Sequence, residues 1–267
     1  MIAAVALGCQ RAAHPRPPQP GHYVYASNAD SGEISGYRLD EKTGAIAPLP
    51  GNGFLPGHPS AEALTFSPDG SFGFLRTAVE VVPFAVGADG SLAARPAVKI
   101  DGWPAAVAIH PSGRFLYGVH ASFPWTLDMY ALNTDGIPGK KSIAYRNGQE
   151  LRDLMIDPSG ERLFVFGGSH QCFILDVDRT TGALTESTAK PVHVEYVAKQ
   201  QRLHPAGRFL FLLRAAGLTS RMAVMRRTGD GFEPVAGSPF ALARDARSFT
   251  IDPTGRYLYV VDRKSVV

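Results

Sequence analysis

The sequence predicts an all-β fold assembled from a repeated four-stranded unit, and three observations predict it. A strand–turn–strand motif recurs along the 267 residues as "FSPDGSFGFLRT", "IHPSGRFLYGVH", "IDPSGERLFVFG", "LHPAGRFLFLLR" and "IDPTGRYLYVVD". Aligned on Pro68, Pro111, Pro158, Pro205 and Pro253, the copies stand 43, 47, 47 and 48 residues apart, and a period of that size marks a repeat architecture. Gly (28) and Pro (21) are abundant, as many tight turns require, and helical periodicity is absent.

Each copy begins with strand A, which ends at an X-Pro-X-Gly corner. Proline fixes φ at the first central position, and Gly70, Gly113, Gly160, Gly207 and Gly255 supply positive φ at the exit. Ser67, His110, Asp157, His204 and Asp252 precede the prolines and are expected to cap these corners. Strand B follows; "FLYGV" and "YLYVV" have no polar face, so both faces should be buried. Strand C comes next, as in "LDMYAL" and "FILDV", and then a second turn in "ADGSL", "TDGIP", "TTGAL" and "GDGFE" leads to strand D. Short antiparallel strands in fours, each unit packed on both faces by its neighbours, describe the blade of a β-propeller. A sandwich would not explain the fixed period.

Residues 22–50 fit strands B, C and D of a first blade that lacks its strand A, and the chain stops at "RKSVV" just after a strand B. About five and a half four-stranded antiparallel blades are thus visible, and the expected object is a truncated propeller. The propeller domain spans residues 22–267. Before it, "MIAAVALGC" (1–9) resembles the tail of a bacterial lipoprotein signal, with Ala6-Leu7-Gly8 preceding a lipidated Cys9. It lacks a basic n-region, and its apolar stretch is short, so a simple disordered tail is the other reading. Residues 10–21 are a Pro-rich linker. The lipoprotein reading places the protein in the periplasm or cell envelope, with Cys9 as its sole membrane attachment; without a signal it would be cytoplasmic.

These repeats resemble the lactonase-type β-propeller family, the group that includes bacterial 6-phosphogluconolactonase. "YVYASNADSGEISGYRLDEKTGAI" looks like its first-blade signature, and "VAGSPFA" followed by "FTIDPTGRYLYVVDR" looks like a later blade. The resemblance covers roughly residues 22–267, and members typically have about seven blades. It implies a lactonase-like hydrolase that opens a sugar lactone, similar to 6-phosphogluconolactone, with activated water. Many members have no demonstrated substrate, so a non-catalytic propeller of the cell envelope, binding an anionic ligand or a protein at its central mouth, is the alternative.

The repeat itself nominates site residues. In propellers the loops entering strand A and leaving strand B share one face. Six positions before each proline stand Glu62, Ala105, Arg152, Lys199 and Arg247; the next position holds Ala63, Ala106, Asp153, Gln200 and Ser248. Nine positions after each proline stand Thr77, His120, Gly167, Arg214 and Asp262. Opening a lactone needs a base for water and a cation for the oxyanion. On that chemistry Asp153 is the candidate base, Arg152 and Arg247 are anion clamps, and His120 assists in catalysis. Lys199, Arg214 and Glu62 are candidate substrate-binding residues. Family blades carry an Arg-His pair at the two strand-A positions of one blade and an acid at the second position of another. Here Arg247 is followed by Ser248, and no blade has His there, a departure that weakens the catalytic expectation.

Other chemistries find little support. The net charge of +3 is spread along the chain, unlike the concentrated basic patch of a nucleic-acid protein. No apolar run approaches the roughly 20 residues of a membrane helix. Two cysteines, Cys9 and Cys172, make no disulfide framework, and Cys172 is expected to be a buried thiol. The eight histidines show no zinc-ligand spacing, so neither metal nor cofactor is expected. "GNGFLPG" lacks phosphate-loop spacing, and Ser169-His170 are neighbours in sequence without being a triad. The expected ligand is small and anionic or sugar-derived.

Overall fold

The computed structural model describes residues 3–7, 22–28, 31–40, 43, 45–51, 53–54, 57–58, 60–99, 104–120, 122–168, 171–188, 192–193, 198–216, 219–229, 231–242, 246–251 and 255–262. The chain divides into two compact units, residues 1–147 and 148–267. All elements among the described residues are strands, and no helix among them is long and apolar enough to cross a membrane.

The first unit holds three sheets. One is β1 (Ala3–Leu7), β2 (His22–Asn28), β3 (Glu33–Leu39) and β4 (Ile46–Pro48). The next is β5 (Ala63–Phe66), β6 (Phe72–Arg76), β7 (Glu80–Val86) and β8 (Leu92–Ala94), with β9 (Val98–Lys99) also on β7. The third is β10 (Pro104–Ile109), β11 (Phe115–His120), β12 (Leu127–Leu132) and β13 (Pro138–Tyr145). The second unit continues the series with β14 (Leu151–Ile156), β15 (Arg162–Gly167), β16 (Gln171–Val177) and β17 (Leu184–Glu186), plus β18 (Val192–His193) on β16. Then come β19 (Gln200–Leu203), β20 (Phe209–Ala216), β21 (Thr219–Thr228) and β22 (Gly231–Pro234), with β23 (Phe240–Leu242) on β21. Last is the pair β24 (Ala246–Ile251) and β25 (Leu258–Asp262). Among the described residues every pairing is antiparallel, and the main strands of each sheet pair in chain order as a meander, with β9, β18 and β23 added beside their third strands. The fold is all-β, a β-propeller of four-stranded antiparallel blades.

Two features depart from the sequence expectation. The first sheet does not lack its innermost strand: Ala3–Leu7 pairs with β2, Ala3 opposite Asn28 and Leu7 opposite Val24. The short apolar run that resembles a leader is also of strand length, and one apolar run of that size fits either role. Cys9 and the linker 10–21 lie outside the described residues. Second, three sheets have a divided outer edge, where β8 and β9, β17 and β18, or β22 and β23 follow one another along the same neighbour. Pro96 and Pro239 fall between the two pieces in two of these sheets. A residue with no N–H is tolerated at a sheet edge, where it interrupts the ladder.

The corners form as the repeat requires. Gly70, Gly113, Gly160, Gly207 and Gly255 have φ of 67°, 70°, 74°, 68° and 72°. His110 Nδ1 and His204 Nδ1 accept from the backbone N–H of Ser112 and Ala206 at 3.0 and 2.9 Å, so both histidines cap turns.

The core lies between sheets. Tyr25, Ile34, Leu75 and Phe84 belong to one buried cluster between the first two sheets; Phe74, Val81, Leu116 and Tyr130 belong to the next. In the second unit Phe164, Ile174, Leu210 and Phe232 form one cluster, and Leu213, Met222 and Phe249 another. Each fully buried Phe or Leu contributes roughly 1.5–3 kcal/mol, which is why strand B carries no polar face. Cys172 is buried among these residues as a free thiol.

Candidate functional site

The side chain that strand B carries at its end is decisive in the third sheet. β11 ends at His120 and β12 returns from Leu127, with the His120 N–H donating to the Thr126 carbonyl at 3.0 Å. In this hairpin Gly118 stands opposite Asp128, so His120 and Asp128 fall on one face by the two-residue period of strands. Gly118 adds no side chain there. His120 Nε2 lies 2.7 Å from Asp128 Oδ2, and both residues are buried, Asp128 completely. Lys141 on β13 is paired with Tyr130 in the ladder and comes within 3.5 Å of the same Oδ2. Asp128 Oδ1 has no hydrogen-bond partner among the described residues.

This pair forms one wall of a cavity of about 230 Å3, whose other walls include Ser122, Phe123, Thr126, Lys141 and Arg146. The cavity lies at the B–C loop, the end of a blade that the repeat nominates. Trp125 holds a φ of 23° in this loop, a conformation that a non-glycine residue adopts only under constraint. Phe123 is 80% exposed and packs edge-on against Trp125 at 5.5 Å.

The arrangement has a clear chemical capacity. A buried carboxylate that holds one imidazole nitrogen fixes the ring and its tautomer and leaves the other nitrogen to take a proton. Lys141 and Arg146 supply cations for a developing oxyanion or an anionic substrate. The volume falls below the roughly 300–1,000 Å3 of drug-sized pockets and suits a single small ring.

The other nominated residues take up local partners. Glu62, just before β5, forms an ion pair with Arg76 on β6, and His58 Nδ1 lies 3.2 Å from Glu80 Oε1. Arg152 is exposed and bound through Nε and Nη2 to both carboxylate oxygens of Glu150, at 3.1 and 3.2 Å. Asp153 is half-buried; its Oδ1 accepts from the Leu154 N–H at 2.8 Å, and its charge acts on Arg202. Lys199 is exposed just before β19, and Arg214 on β20 stands opposite Arg221. The backbone of Arg247 lies in β24, and its side chain lies outside the described residues.

Three of the strand-A entry residues share an unforeseen feature. The ladder skips Ala105, Arg152 and Arg247, which sit at register shifts between Pro104 and Ala106, Leu151 and Asp153, and Ala246 and Ser248. A bulge releases a side chain from strict alternation, and bulges occur preferentially beside functional sites. Equivalent positions of successive blades do meet: Gln200 Oε1 accepts from Ser248 Oγ at 3.1 Å and from the Phe249 N–H at 2.8 Å. Sequence reasoning missed Asp128, Lys141 and Arg146. The available signal was one carboxylate inside the otherwise apolar strand "LDMYAL", eight residues after His120. Among the described residues no group of three or more His, Cys, Asp or Glu converges as a metal-ligand set.

No family model matches the chain, and no curated protein matches it by sequence. Solved structures do. The periplasmic gluconolactonase of Pseudomonas aeruginosa matches with a TM-score of 0.67 at 16% identity, over 98% of this chain and 76% of that one. A candidate 6-phosphogluconolactonase from Bacteroides uniformis gives 0.66 at 19% identity, over 89% and 73%. The chain has the lactonase-type β-propeller fold. That fold is not tied to one chemistry, since hydrazine synthase of Kuenenia stuttgartiensis matches at 0.59 with 18% identity, over 89% and 70%. At such identities a shared lactonase-type fold leaves the activity to be argued from the site.

Proposed function

We propose that the chain is a lactonase-like hydrolase that opens a small sugar lactone with water activated at His120. The observation that carries this reading is the buried His120–Asp128 pair in the wall of a cavity that also presents Lys141 and Arg146. In the reaction, Asp128 holds Nε2–H and Nδ1 takes a proton from water as the oxygen attacks the lactone carbonyl. Lys141 neutralises the tetrahedral oxyanion, and Arg146 holds an anionic substituent of the substrate. The intermediate collapses by breaking the ring C–O bond, and the imidazolium returns its proton to the departing ring oxygen. The product is the open hydroxy acid. The likeness to a periplasmic gluconolactonase supports a cell-envelope location.

Asp153 remains the rival base; its Oδ1 already accepts from the Leu154 N–H at 2.8 Å. The second reading is a non-catalytic binder of anionic ligands, favoured by Lys141 and Arg146, which attract an anion with no turnover. Initial rates of 6-phosphogluconolactone hydrolysis separate the readings. Wild type should exceed buffer, His120→Ala and Asp128→Asn should each lose about 10²–10⁴-fold, and Asp153→Asn should retain most of the rate. A folded wild type no faster than buffer supports the binder, and loss confined to Asp153→Asn moves the base to Asp153.

A further inference from the structure

We propose that an arginine-lined corner of the β19–β22 sheet is a binding site for a small multivalent phosphoanion. The A–B and C–D turns of this sheet border a cavity of about 580 Å3 lined by Gly207, Arg208, Phe209, Arg226, Arg227 and Gly229. It shares no residue with the His120 cavity and lies at the opposite kind of loop, so the proposed hydrolysis does not account for it.

The repeat shows what is unusual. One backbone hydrogen bond recurs between the start of strand B and the end of strand C: Val86 N to Ser71 O, Leu132 N to Arg114 O, Val177 N to Glu161 O and Arg227 N to Arg208 O, at 2.7–2.9 Å. The donor slot therefore holds Val, Leu and Val in three sheets and Arg in this one. The residue before it is Ala85, Ala131 and Asp176 in those three, and Arg226 here. In the first sheet Arg38, opposite Tyr23, holds the slot of Arg226 and Leu39 that of Arg227, so two adjacent guanidinium groups occur together in this sheet alone among the five.

Arg227 is fixed in place. Its Nη1 donates to Asp157 Oδ1 at 3.0 Å, and its guanidinium lies 5.9 Å from the centroid of the Phe164 ring. Arg208 and Arg226 are exposed, and among the described residues neither forms an ion pair. Glu233 stands opposite Arg226 in the β21–β22 ladder, and Asp157 already engages Arg227; these are the carboxylates facing the corner from the described strands. Gly229, with a φ of 55°, is exposed, and a Cβ there would meet nothing within 4 Å; Gly207, with a φ of 68°, is buried against Asp157 Oδ1. Three planar forks call for a ligand with several acceptor oxygens, which a phosphate or diphosphate offers and a single carboxylate does not.

Calorimetric titration with sodium pyrophosphate at fixed ionic strength tests the site. One saturable site is expected, weakened about tenfold or more in Arg208→Ala/Arg226→Ala and less in Arg226→Lys, which keeps charge without the fork. Arg179→Ala, an exposed arginine at the C–D turn of the preceding sheet, should bind as wild type. Equal binding by wild type and the double variant overturns the assignment. Sedimentation with phosphatidylglycerol vesicles that needs Arg208 and Arg226, without pyrophosphate binding, assigns the corner to a lipid headgroup and also overturns it.

Discussion

Arg227 Nη1 and Asp157 Oδ1 meet at 3.0 Å and join the corner of one blade to the third strand of the next. Asp157 is almost fully buried, and its other oxygen accepts from Ser159 Oγ at 2.8 Å. Removing the arginine leaves a desolvated carboxylate half-satisfied. Arg227→Leu should therefore destabilise the fold by about 1–3 kcal/mol, although leucine occupies the equivalent slot at position 132. Arg227→Leu/Asp157→Asn should recover part of that loss. Urea denaturation of both singles and the double, read as a cycle, checks this; simple additivity would mean that the pair is not coupled.

The first two blades are joined by a different contact. Tyr23 Oη donates to the Ala88 carbonyl at 2.8 Å and Tyr25 Oη to the Gly90 carbonyl at 2.7 Å, so both phenols grip the C–D turn of the following blade. A Cβ at Gly90 would come 2.6 Å from the Tyr23 ring, at a φ of 84°. Gly136 repeats the arrangement against Phe72 one blade later. Gly90→Ala and Gly136→Ala should each cost roughly 2–4 kcal/mol, from overpacking plus backbone strain. Gly113→Ala, with nothing within 4 Å and only its φ of 70° to strain it, should cost about 1–2 kcal/mol. Thermal melts of the three variants rank these costs, and equal shifts would remove packing from the account.

The fold was legible because its signal is periodic and local. Pro-X-Gly corners at a constant interval need only turn chemistry to be read, and His110 and His204 cap them as their position before proline suggests. Pairing across a hairpin is less visible. His120 stands at a repeat position, but Asp128 lies in strand C, and the length of the B–C loop, which varies between blades, sets which residues face each other. Arg152 looked like a free cation because its partner, Glu150, lies before the strand and meets it at a bulge that periodic reading does not register. β1 was missed because its five apolar residues carry no turn to tie them to the repeat.

Stability should fall in alkali. Burial, with smaller contributions from Tyr23 and Asp89, holds the Tyr25 phenol well above its ordinary 10.0, and burial pushes the Cys172 thiol above 9.0. The unfolded chain then loses these protons first. Stability is complete below the unfolded values and declines as pH rises through them towards the folded ones. Urea midpoints should therefore drop from about pH 9 upward. Cys172→Ala and Tyr25→Phe should each flatten the decline; Tyr25→Phe should also start about 1 kcal/mol lower at neutral pH, through its lost hydrogen bond. An unchanged alkaline slope in both variants would contradict the assignment.

Substrate charge gives a sharper test of the His120 cavity than rate alone. Lys141 is about one-third exposed and sits 3.5 Å from Asp128 Oδ2, so part of its charge serves the carboxylate; Arg146 lines the same cavity. If Arg146 binds an anionic substituent, it stabilises ground and transition states alike, and its loss should raise KM while kcat changes little. Arg146→Ala should reduce kcat/KM for a phosphorylated lactone about tenfold and leave a neutral lactone of the same ring nearly untouched. Lys141→Ala should lower kcat instead, because Lys141 meets the oxyanion and also touches the carboxylate that orients His120. Parallel losses on the neutral and phosphorylated substrates in Arg146→Ala would show that the cavity does not select for charge.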